Sequence, residues 1–338
     1  MNLTRLNQSG LYIALLSLLV WGCSPSTEET KRTYQTIGSI EVLDERLQAI
    51  VDPGADIEIL ASGFSWSEGP VWVPALNSLL FSDVPMNKVY QWNEADSITV
   101  YLEPSGNTGF APASTGEGAN GLMLDNEGNL TLCQHGDRRV AKWTTSEAGG
   151  SFETLVQTFE GKRFNSPNDL AIGSDGSLFF TDPPYGLAGQ DADSLKEISF
   201  NGVYVVKDST LTLIDSTLTR PNGVALSPDE QTLIVANSDE KMAIWRTYDL
   251  RQSPLVGNLL FDATSMVGQR PGLADGLKVN KNGIIFATGP GGVLILTLKG
   301  EHLGTILTTK HTANCALSPD EKTLYITADD LLLRVALK

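Results

Sequence analysis

The chain has 338 residues, of which 41% are hydrophobic, so it is long enough to bury a sizeable core. It carries 40 acidic against 24 basic residues and a formal net charge of -16. Because it also lacks a basic run, this balance argues against nucleic-acid binding through phosphate contacts and against polybasic attachment to anionic lipid.

The N-terminal segment has the pattern of an export signal. Arg5 precedes an apolar run that ends at Trp21 and is too short to span a bilayer as a mature helix. Residues 19–23 resemble a bacterial lipobox. This predicts that residues 1–23 are a lipoprotein signal peptide and that Cys23 becomes the lipidated first residue. An ordinary cleaved signal peptide and an uncleaved anchor are the alternatives.

The segment after Cys23 is polar and without periodicity, which predicts a flexible tether over residues 24–38. A lipid anchor on Cys23 would attach the protein to a membrane of the bacterial cell envelope, at the periplasmic face or the outer membrane. The remaining residues, 39–338, are predicted to form one domain.

The first part of this domain has a helical pattern. Ile40, Leu43, Leu47 and Ile50 recur at helical spacing, and Ser39 is a suitable N-cap. We therefore expect a short amphipathic helix here, followed by strands from Ile57 onward.

One sequence motif then recurs six times: a small residue, a polar residue, a short apolar run, a turn and a second apolar run. We call the polar position the axial slot. In the first five copies it holds Glu68, Asn120, Asn168, Asn222 and Asp275, which are 52, 48, 54 and 53 residues apart. A period near 50 with several short strands per period predicts an all-β, six-bladed β-propeller.

The two ends of the chain are predicted to close this ring. The sixth repeat extends only about 25 residues beyond its slot, too few for four strands. The strand-like run that begins at Asp56 would supply the missing outer strand and cover two sheet edges. Cys133 and Cys315 fall in repeats two and six, which are not neighbours, so we expect two buried thiols rather than a disulfide.

The axial slot is a candidate metal site. If each slot residue opens the innermost strand of its blade, all five converge at one end of the channel, where carboxylate and amide oxygens suit Ca²⁺. The alternative is that these residues only satisfy turn geometry. The sixth repeat is one residue short, which puts Ala313 rather than Asn314 in the slot and would leave one side of the ring open.

Several runs carry a family resemblance. They resemble the gluconolactonase branch of the senescence marker protein, gluconolactonase and luciferin-regenerating enzyme family, and the match extends from about residue 40 to the end. The runs are residues 63–72, 134–139, 165–169, 181–186, 220–223 and 287–292. The resemblance implies a six-bladed propeller with one catalytic divalent cation, usually Ca²⁺.

The resemblance also implies residue roles. Glu68, Asn222 and Asp275 match the metal ligands, and Asn168 matches a position that is a ligand in some members. Asn120 resembles a residue that contacts substrate. Asp275 is the expected catalytic carboxylate, acting as a base towards water or as a nucleophile; both roles stay open.

Three further residues lie in or beside family-like runs and are candidate substrate contacts: His135, Arg163 and Tyr185. His302 and His311 are interpreted as surface residues. Asp182 would cap a turn rather than bind a second ion, and the acidic segment 188–197 is a possible lid.

The leading hypothesis is a monomeric lactonase that hydrolyses sugar lactones such as gluconolactone. It would use Ca²⁺ or another hard divalent cation such as Mg²⁺, Mn²⁺ or Zn²⁺. A second hypothesis changes the substrate to another lactone or a phosphotriester. A third is a non-catalytic propeller that binds sugar or protein and keeps the ion for structure.

Overall fold

The structure is a computed structural model, and it describes residues 33–111, 115–146 and 149–338. The predicted signal peptide, Cys23 and most of the predicted tether lie outside the described residues, so these remain predictions. Tyr34–Lys338 forms one compact unit. Within the described ranges, no helix is both long enough and apolar enough to cross a membrane.

Six antiparallel sheets form a ring, as the repeats predicted. In each sheet the strand that begins beside the axial slot is innermost. Each innermost strand contacts the innermost strand of the next blade. The innermost strand of the sixth blade, Thr312–Leu317, contacts that of the first, Ser67–Val73, so the ring is closed. The six-bladed propeller is therefore confirmed.

The strands of the first three blades, from the axis outward, are as follows. Blade one has Ser67–Val73, Ser78–Asp83, Lys88–Asn93 and Ser97–Leu102; blade two has Ala119–Leu124, Leu130–Gln134, Arg139–Ser146 and Gly149–Val156; blade three has Leu170–Ile172, Leu178–Asp182, Gly202–Lys207 and Thr210–Asp215.

The other three blades continue in chain order, and the last two receive strands from the N-terminal segment. Blade four has Pro221–Leu226, Thr232–Asp239, Met242–Asp249 and Gly257–Asp262; blade five has Leu277–Val279, Ile284–Gly289, Gly292–Thr297, His302–Leu307 and Ser39–Val42; blade six has Thr312–Leu317, Thr323–Ala328, Leu331–Ala336, Ile57–Ser62 and Gln35–Thr36.

The remaining elements are short. In the described part of the chain, a two-stranded ribbon and four 3₁₀ helices lie in the connections: Thr158–Phe159 with Lys162–Arg163, and Glu45–Ala49, Pro74–Leu76, Gln190–Ala192 and Thr264–Met266.

The predicted closure of the ring is confirmed. Ile57–Ser62 pairs antiparallel with Leu331–Ala336, the third strand of blade six. Gln35–Thr36 then pairs with the outer edge of Ile57–Ser62. Because one blade is built from both ends of the domain, the ring cannot open without breaking this sheet.

The predicted N-terminal helix differs from what the structure shows. Ser39–Val42 is a strand, and only Glu45–Ala49 is helical, as a 3₁₀ helix capped by Asp44. The reason is a tertiary one, since the outer edge of His302–Leu307 offers backbone partners to Ser39–Val42. The helical spacing of the apolar residues thus reflects burial of Leu47 against the sheets rather than an α-helix.

Hydroxyl groups link neighbouring blades beside the axial slot. The side chain of Ser82 donates to the carbonyl oxygen of Asn120 at 2.8 Å, and that of Thr181 donates to the carbonyl oxygen of Asn222 at 2.7 Å. Each bond contributes roughly 1 kcal/mol. They attach the backbone at a slot to the second strand of the preceding blade.

Two buried aspartates cap the segments that lead into the slots. The carboxylate of Asp182 accepts hydrogen bonds from the backbone N–H groups of Asn165 and Ser166 at 2.8 and 2.7 Å. Asp83 does the same for Ser65 and Trp66 in blade one. The predicted turn-capping role of Asp182 is therefore confirmed.

Cys133 and Cys315 are both buried and free, so the expected absence of a disulfide between them is confirmed. Burial raises the pKa of Cys315 to about 12 and the pKa of Cys133 well above its usual range, the latter assisted by the charge of Asp169. Both thiols act as small apolar groups in the core.

The closing strand gives a stability prediction. Ile57 is 1% exposed and packs in the cluster shared by blades five and six. We expect Ile57→Ala to lower the free energy of unfolding by about 2–5 kcal/mol because it leaves a cavity at the closure. Leu43→Ala, at a residue 57% exposed, is the control and should change it by at most about 0.5 kcal/mol. Guanidinium unfolding midpoints measure both, and equal midpoints would contradict the closing role.

Candidate functional site

The five predicted slot residues line one cavity of about 350 Å³, at the end of the ring where the innermost strands begin. They are Glu68, Asn120, Asn168, Asn222 and Asp275. Their convergence follows from radial symmetry, because each stands just before or within the start of an innermost strand.

The backbone at the slots is not regularly paired. In blades one, two and four, two residues of the innermost strand are left out of its ladder with the second strand. In blade one they are the two residues between Glu68 and Val71. In blade six only one is left out, between Thr312 and Asn314. The net shift is nevertheless the same, since Thr312 to Cys315 opposes Ala328 to Ile326 just as Pro221 to Val224 opposes Asn237 to Val235. Ala313 therefore takes the slot, as expected, but the expectation that the sixth repeat is one residue short is wrong.

Three slot side chains carry a buried oxygen atom that has no hydrogen-bond partner among the described residues. These atoms are Asn120 Oδ1, Asn168 Oδ1 and Asp275 Oδ1. Asp275 is partly exposed as a whole residue, but its Oδ1 atom is buried. Buried acceptors without donors are costly, and a hard cation is the kind of partner that satisfies several of them at once.

The two slot carboxylates are also destabilised as anions. Burial raises the pKa of Glu68 to about 7, with the charge of Asp169 as the next cause. Burial likewise raises the pKa of Asp275 well above its usual range, assisted by the charges of Glu68 and Asp169. A nearby divalent cation would favour both ionised forms.

The donor set determines which kind of ion fits. Within the described residues, no group of three His, Cys, Asp or Glu side chains is arranged to hold a metal. The slot instead combines two carboxylates with three amides, all of them oxygen donors. This composition fits Ca²⁺ or Mg²⁺ better than a metal that prefers nitrogen or sulfur ligands.

A second group of polar residues lies behind the slot and was missed by sequence reasoning. Asn314 donates to Glu68 Oε2 at 3.2 Å and to Asp169 Oδ2 at 3.3 Å, and Lys278 donates to Asn314 Oδ1 at 3.3 Å. We call Asp169, Lys278 and Asn314 the inner layer. Asp169 directly follows a slot residue, where four other repeats have glycine, and that departure is the signal that could have revealed it.

His135 lies at the wall of the cavity, and it is paired with a residue that sequence reasoning missed. Its Nδ1 atom is 3.3 Å from Glu117 Oε2, and its backbone N–H donates to the carbonyl oxygen of Gly118. His135 is 2% exposed, and its Nε2 atom is buried without a partner among the described residues. Glu117 precedes its slot by three residues in a loop, where no periodic pattern marks it.

The other two predicted substrate contacts differ in position. Tyr185 lines the cavity, its hydroxyl lies 3.5 Å from the carbonyl oxygen of Ser238, and burial raises its pKa. Arg163 does not line the cavity, since its guanidinium donates to the carbonyl oxygen of Asp137 at 2.8 Å. The geometry thus gives Arg163 a structural contact in place of the predicted contact with substrate.

The remaining histidines also separate. His311 is exposed and lines the cavity, so it is a surface residue at the mouth of the site. His302 lies in blade five, with its ring 3.1 Å from Thr305 Oγ1.

The acidic segment 188–197 does not line the cavity. Its 3₁₀ helix is fixed by Asp191, which pairs with Arg220 at 2.5 Å and with Lys196 at 3.7 Å. Lys196 donates to Asn201 Oδ1 at 2.8 Å. These bonds fix the segment against the body of the propeller, and the geometry does not favour the predicted lid.

Comparisons with known proteins agree with this architecture. A gluconolactonase from Zymomonas mobilis is 39% identical over 312 residues, covering 90% of this chain and 87% of that protein. A solved gluconolactonase from Xanthomonas campestris is 28% identical, with a TM-score of 0.77, over 91% of this chain and 99% of the other. A calcium-binding protein, regucalcin, from Agrobacterium tumefaciens shares the fold at 16% identity and a TM-score of 0.63, over 83% of this chain and 94% of that one.

The family resemblance inferred from the sequence is confirmed. Residues 66–330 match the family model described as the SMP-30/Gluconolactonase/LRE-like region, and this range contains all six slots of the ring. The protein belongs to the SMP-30/gluconolactonase/LRE-like family.

Proposed function

We propose that this protein is a lactonase that hydrolyses sugar lactones of the D-glucono-δ-lactone type with the help of a divalent cation. The similarity to the Zymomonas mobilis gluconolactonase, which extends over nearly the whole chain, supports the reaction class. The observation that carries the proposal is the convergence of buried, unpartnered oxygens of three slot residues on one cavity.

Glu68, Asn168, Asn222 and Asp275 are the residues that would hold the cation. When bound, Ca²⁺ or another hard divalent cation such as Mg²⁺ or Mn²⁺ supplies polarisation of the lactone carbonyl and stabilisation of the oxyanion. Glu68 has only this role in the proposal, because its Oε2 atom is already occupied by the N–H of Gly69 and the amide of Asn314.

Asp275 activates the water. Its buried Oδ1 atom faces no protein donor among the described residues, so it is available to accept a proton from a water molecule in the cavity. The resulting hydroxide adds to the carbonyl carbon, and the bond between that carbon and the ring oxygen breaks. Asn120, which lines the same cavity with its Oδ1 atom unpartnered, is placed to accept a hydrogen bond from a sugar hydroxyl.

His135 gives a proton to the departing ring oxygen. Its Nδ1 atom is held by Glu117, which leaves Nε2 as the atom free to act in the cavity. The alkoxide becomes the new hydroxyl of the open-chain acid, the proton taken up by Asp275 leaves with solvent, and His135 regains a proton at Nε2 from solvent. One lactone and one water thus give one hydroxy acid. Tyr185 forms part of the wall that orients the ring.

The first experiment measures acid release from D-glucono-δ-lactone by the purified protein, corrected for spontaneous ring opening. We expect turnover with Ca²⁺ and its loss with EDTA. Asp275→Asn should lower kcat by about 10²–10⁴-fold, because it removes the base while keeping the shape of the side chain. Asp249→Asn, at the end of the third strand of blade four, is the control. A folded, Ca²⁺-loaded protein without turnover on this lactone would contradict the proposal and favour another substrate or a binding role.

The proton-donor role predicts a dependence on the leaving group. His135→Gln should lower kcat on the sugar lactone by about 10²-fold, and Glu117→Gln by less, because Glu117 acts through His135. An aryl ester, whose phenolate leaves without protonation, should be much less affected by His135→Gln. His311→Gln, at the exposed mouth of the cavity, is the matched control. Equal losses on both substrates would rule out proton donation.

The buried carboxylates predict how stability depends on pH when no cation is present. Because the pKa of Glu68 is raised from 4.5 to about 7, the folded state binds this proton more tightly than the unfolded chain. The free energy of unfolding should therefore fall as pH rises through this range, by about 3 kcal/mol from Glu68 alone.

The test compares unfolding midpoints of the EDTA-treated protein at about pH 5 and about pH 8. Glu68→Gln should show a clearly smaller fall, and added Ca²⁺ should reduce the fall in the parent protein. Glu127→Gln, in an exposed turn of blade two, should behave as the parent does. The same pH dependence in Glu68→Gln and in the parent would show that this carboxylate is not the group concerned.

A further inference from the structure

Asn314 is fixed in one orientation by its partners. Its Oδ1 atom accepts hydrogen bonds from the backbone N–H of Cys315 at 2.9 Å and from the ammonium of Lys278 at 3.3 Å. Its NH₂ group must therefore face the other way, where it donates to Glu68 Oε2 and Asp169 Oδ2. Asn314 is 2% exposed, so these bonds are shielded from water.

The fold reserves space for this amide. A Cβ atom at Gly276 would lie 2.0 Å from Asn314 Cγ, so no residue larger than glycine fits beside it. Gly276 directly follows the slot residue Asp275. Glycine at position 276 is therefore required for close packing against Asn314, in addition to any role in turn geometry.

The hydrogen bonds also select one oxygen of Glu68. Within the described residues, both donors to its carboxylate, the N–H of Gly69 and the NH₂ of Asn314, bind Oε2. Oε1 is left for a ligand in the cavity that Glu68 lines. Asn314 and the N–H of Gly69 together therefore fix which way the carboxylate points.

Charge gives the inner layer a second role. Glu68, Asp169 and Asp275 place three carboxyl groups close together in a buried region, and the positive charge of Lys278 acts against the resulting repulsion at Glu68. Lys278 does not line the cavity, so its ammonium approaches from behind the ring.

We propose that Asn314 and Lys278 are positioning residues of the cation site. Asn314 orients Glu68 towards the cation, and Lys278 supplies positive charge that stabilises the site while it is empty. Because that charge repels an incoming cation, Lys278 stabilises the unloaded protein and at the same time weakens cation binding. This inference rests on the proposed cation site and adds that Lys278 lowers the affinity of that site for the cation.

The experiment uses Ca²⁺ as the probe on protein stripped with EDTA, with calorimetric titration for affinity and thermal unfolding with and without Ca²⁺. For Lys278→Met we expect about tenfold tighter Ca²⁺ binding, from the Coulomb energy of one nearby charge at the effective dielectric of a protein. We also expect a lower Tm without Ca²⁺ and hence a larger rise in Tm when Ca²⁺ is added.

Asn314→Ala should have the opposite effect on affinity. It leaves the net charge unchanged but removes one of the two hydrogen bonds that orient the carboxylate of Glu68, so Ca²⁺ binding should weaken by about tenfold. Lys281→Met removes the same charge as Lys278→Met from an exposed turn of the same blade, where the Lys281 side chain is 70% exposed. Its affinity and Tm shift should match those of the parent.

The outcomes separate this inference from the proposed function. If the parent binds Ca²⁺ and Lys278→Met lowers Tm equally with and without Ca²⁺ at unchanged affinity, Lys278 is only a packing residue and the inference is overturned. An unchanged affinity in a folded Asn314→Ala protein overturns the orienting role. A parent that binds no divalent cation overturns the proposed cation site itself, together with the inference that depends on it.

Discussion

The site depends on the concentration of oxygen acceptors on the axis of a ring. Radial symmetry brings the five slot side chains together, and burial then penalises every charge among them, as the raised pKa values of Glu68 and Asp275 indicate. Amides at the other three slots provide oxygen ligands for a cation without adding charge. Against the remaining repulsion the protein itself supplies hydrogen bonds to Glu68 and Asp275 and the charge of Lys278.

The rest of the fold maintains this arrangement. Closure by Ile57–Ser62 prevents the ring from opening, and hydroxyl groups such as that of Thr181 attach a slot to the preceding blade. Glycine after the slot allows the backbones to approach closely: a Cβ atom at Gly69 would lie 2.1 Å from the carbonyl oxygen of Asn120. Such contacts leave little freedom for the slots to spread, so the oxygens stay close although they repel one another.

The repeats made the ring predictable, because a fixed period with one polar position per copy implies convergence on an axis. The inner layer was not predictable in the same way. Asn314 lies one position past the slot, where four of the other repeats have glycine, and the irregular ladder there makes side-chain direction unreadable from alternation. Arg163 shows the reverse error, because closeness in sequence to a family-like run did not determine where its side chain points. Ser39–Val42 became a strand because a distant sheet edge was available, which local spacing does not reveal.

The charge of the cavity affects the release of product in the proposed reaction. Glu68, Glu117 and Asp275 line it, and its described lining includes no Lys or Arg. A sugar lactone is neutral and enters such a site without an electrostatic penalty, whereas the aldonic acid formed by hydrolysis ionises to a carboxylate. While the cation is bound its charge offsets the two slot carboxylates, so it is the net charge of -16 outside the cavity that repels the product after it leaves the site. The acidity that makes the empty site unstable therefore serves cation binding, and the acidic surface around it favours departure of the anion that the proposed reaction makes.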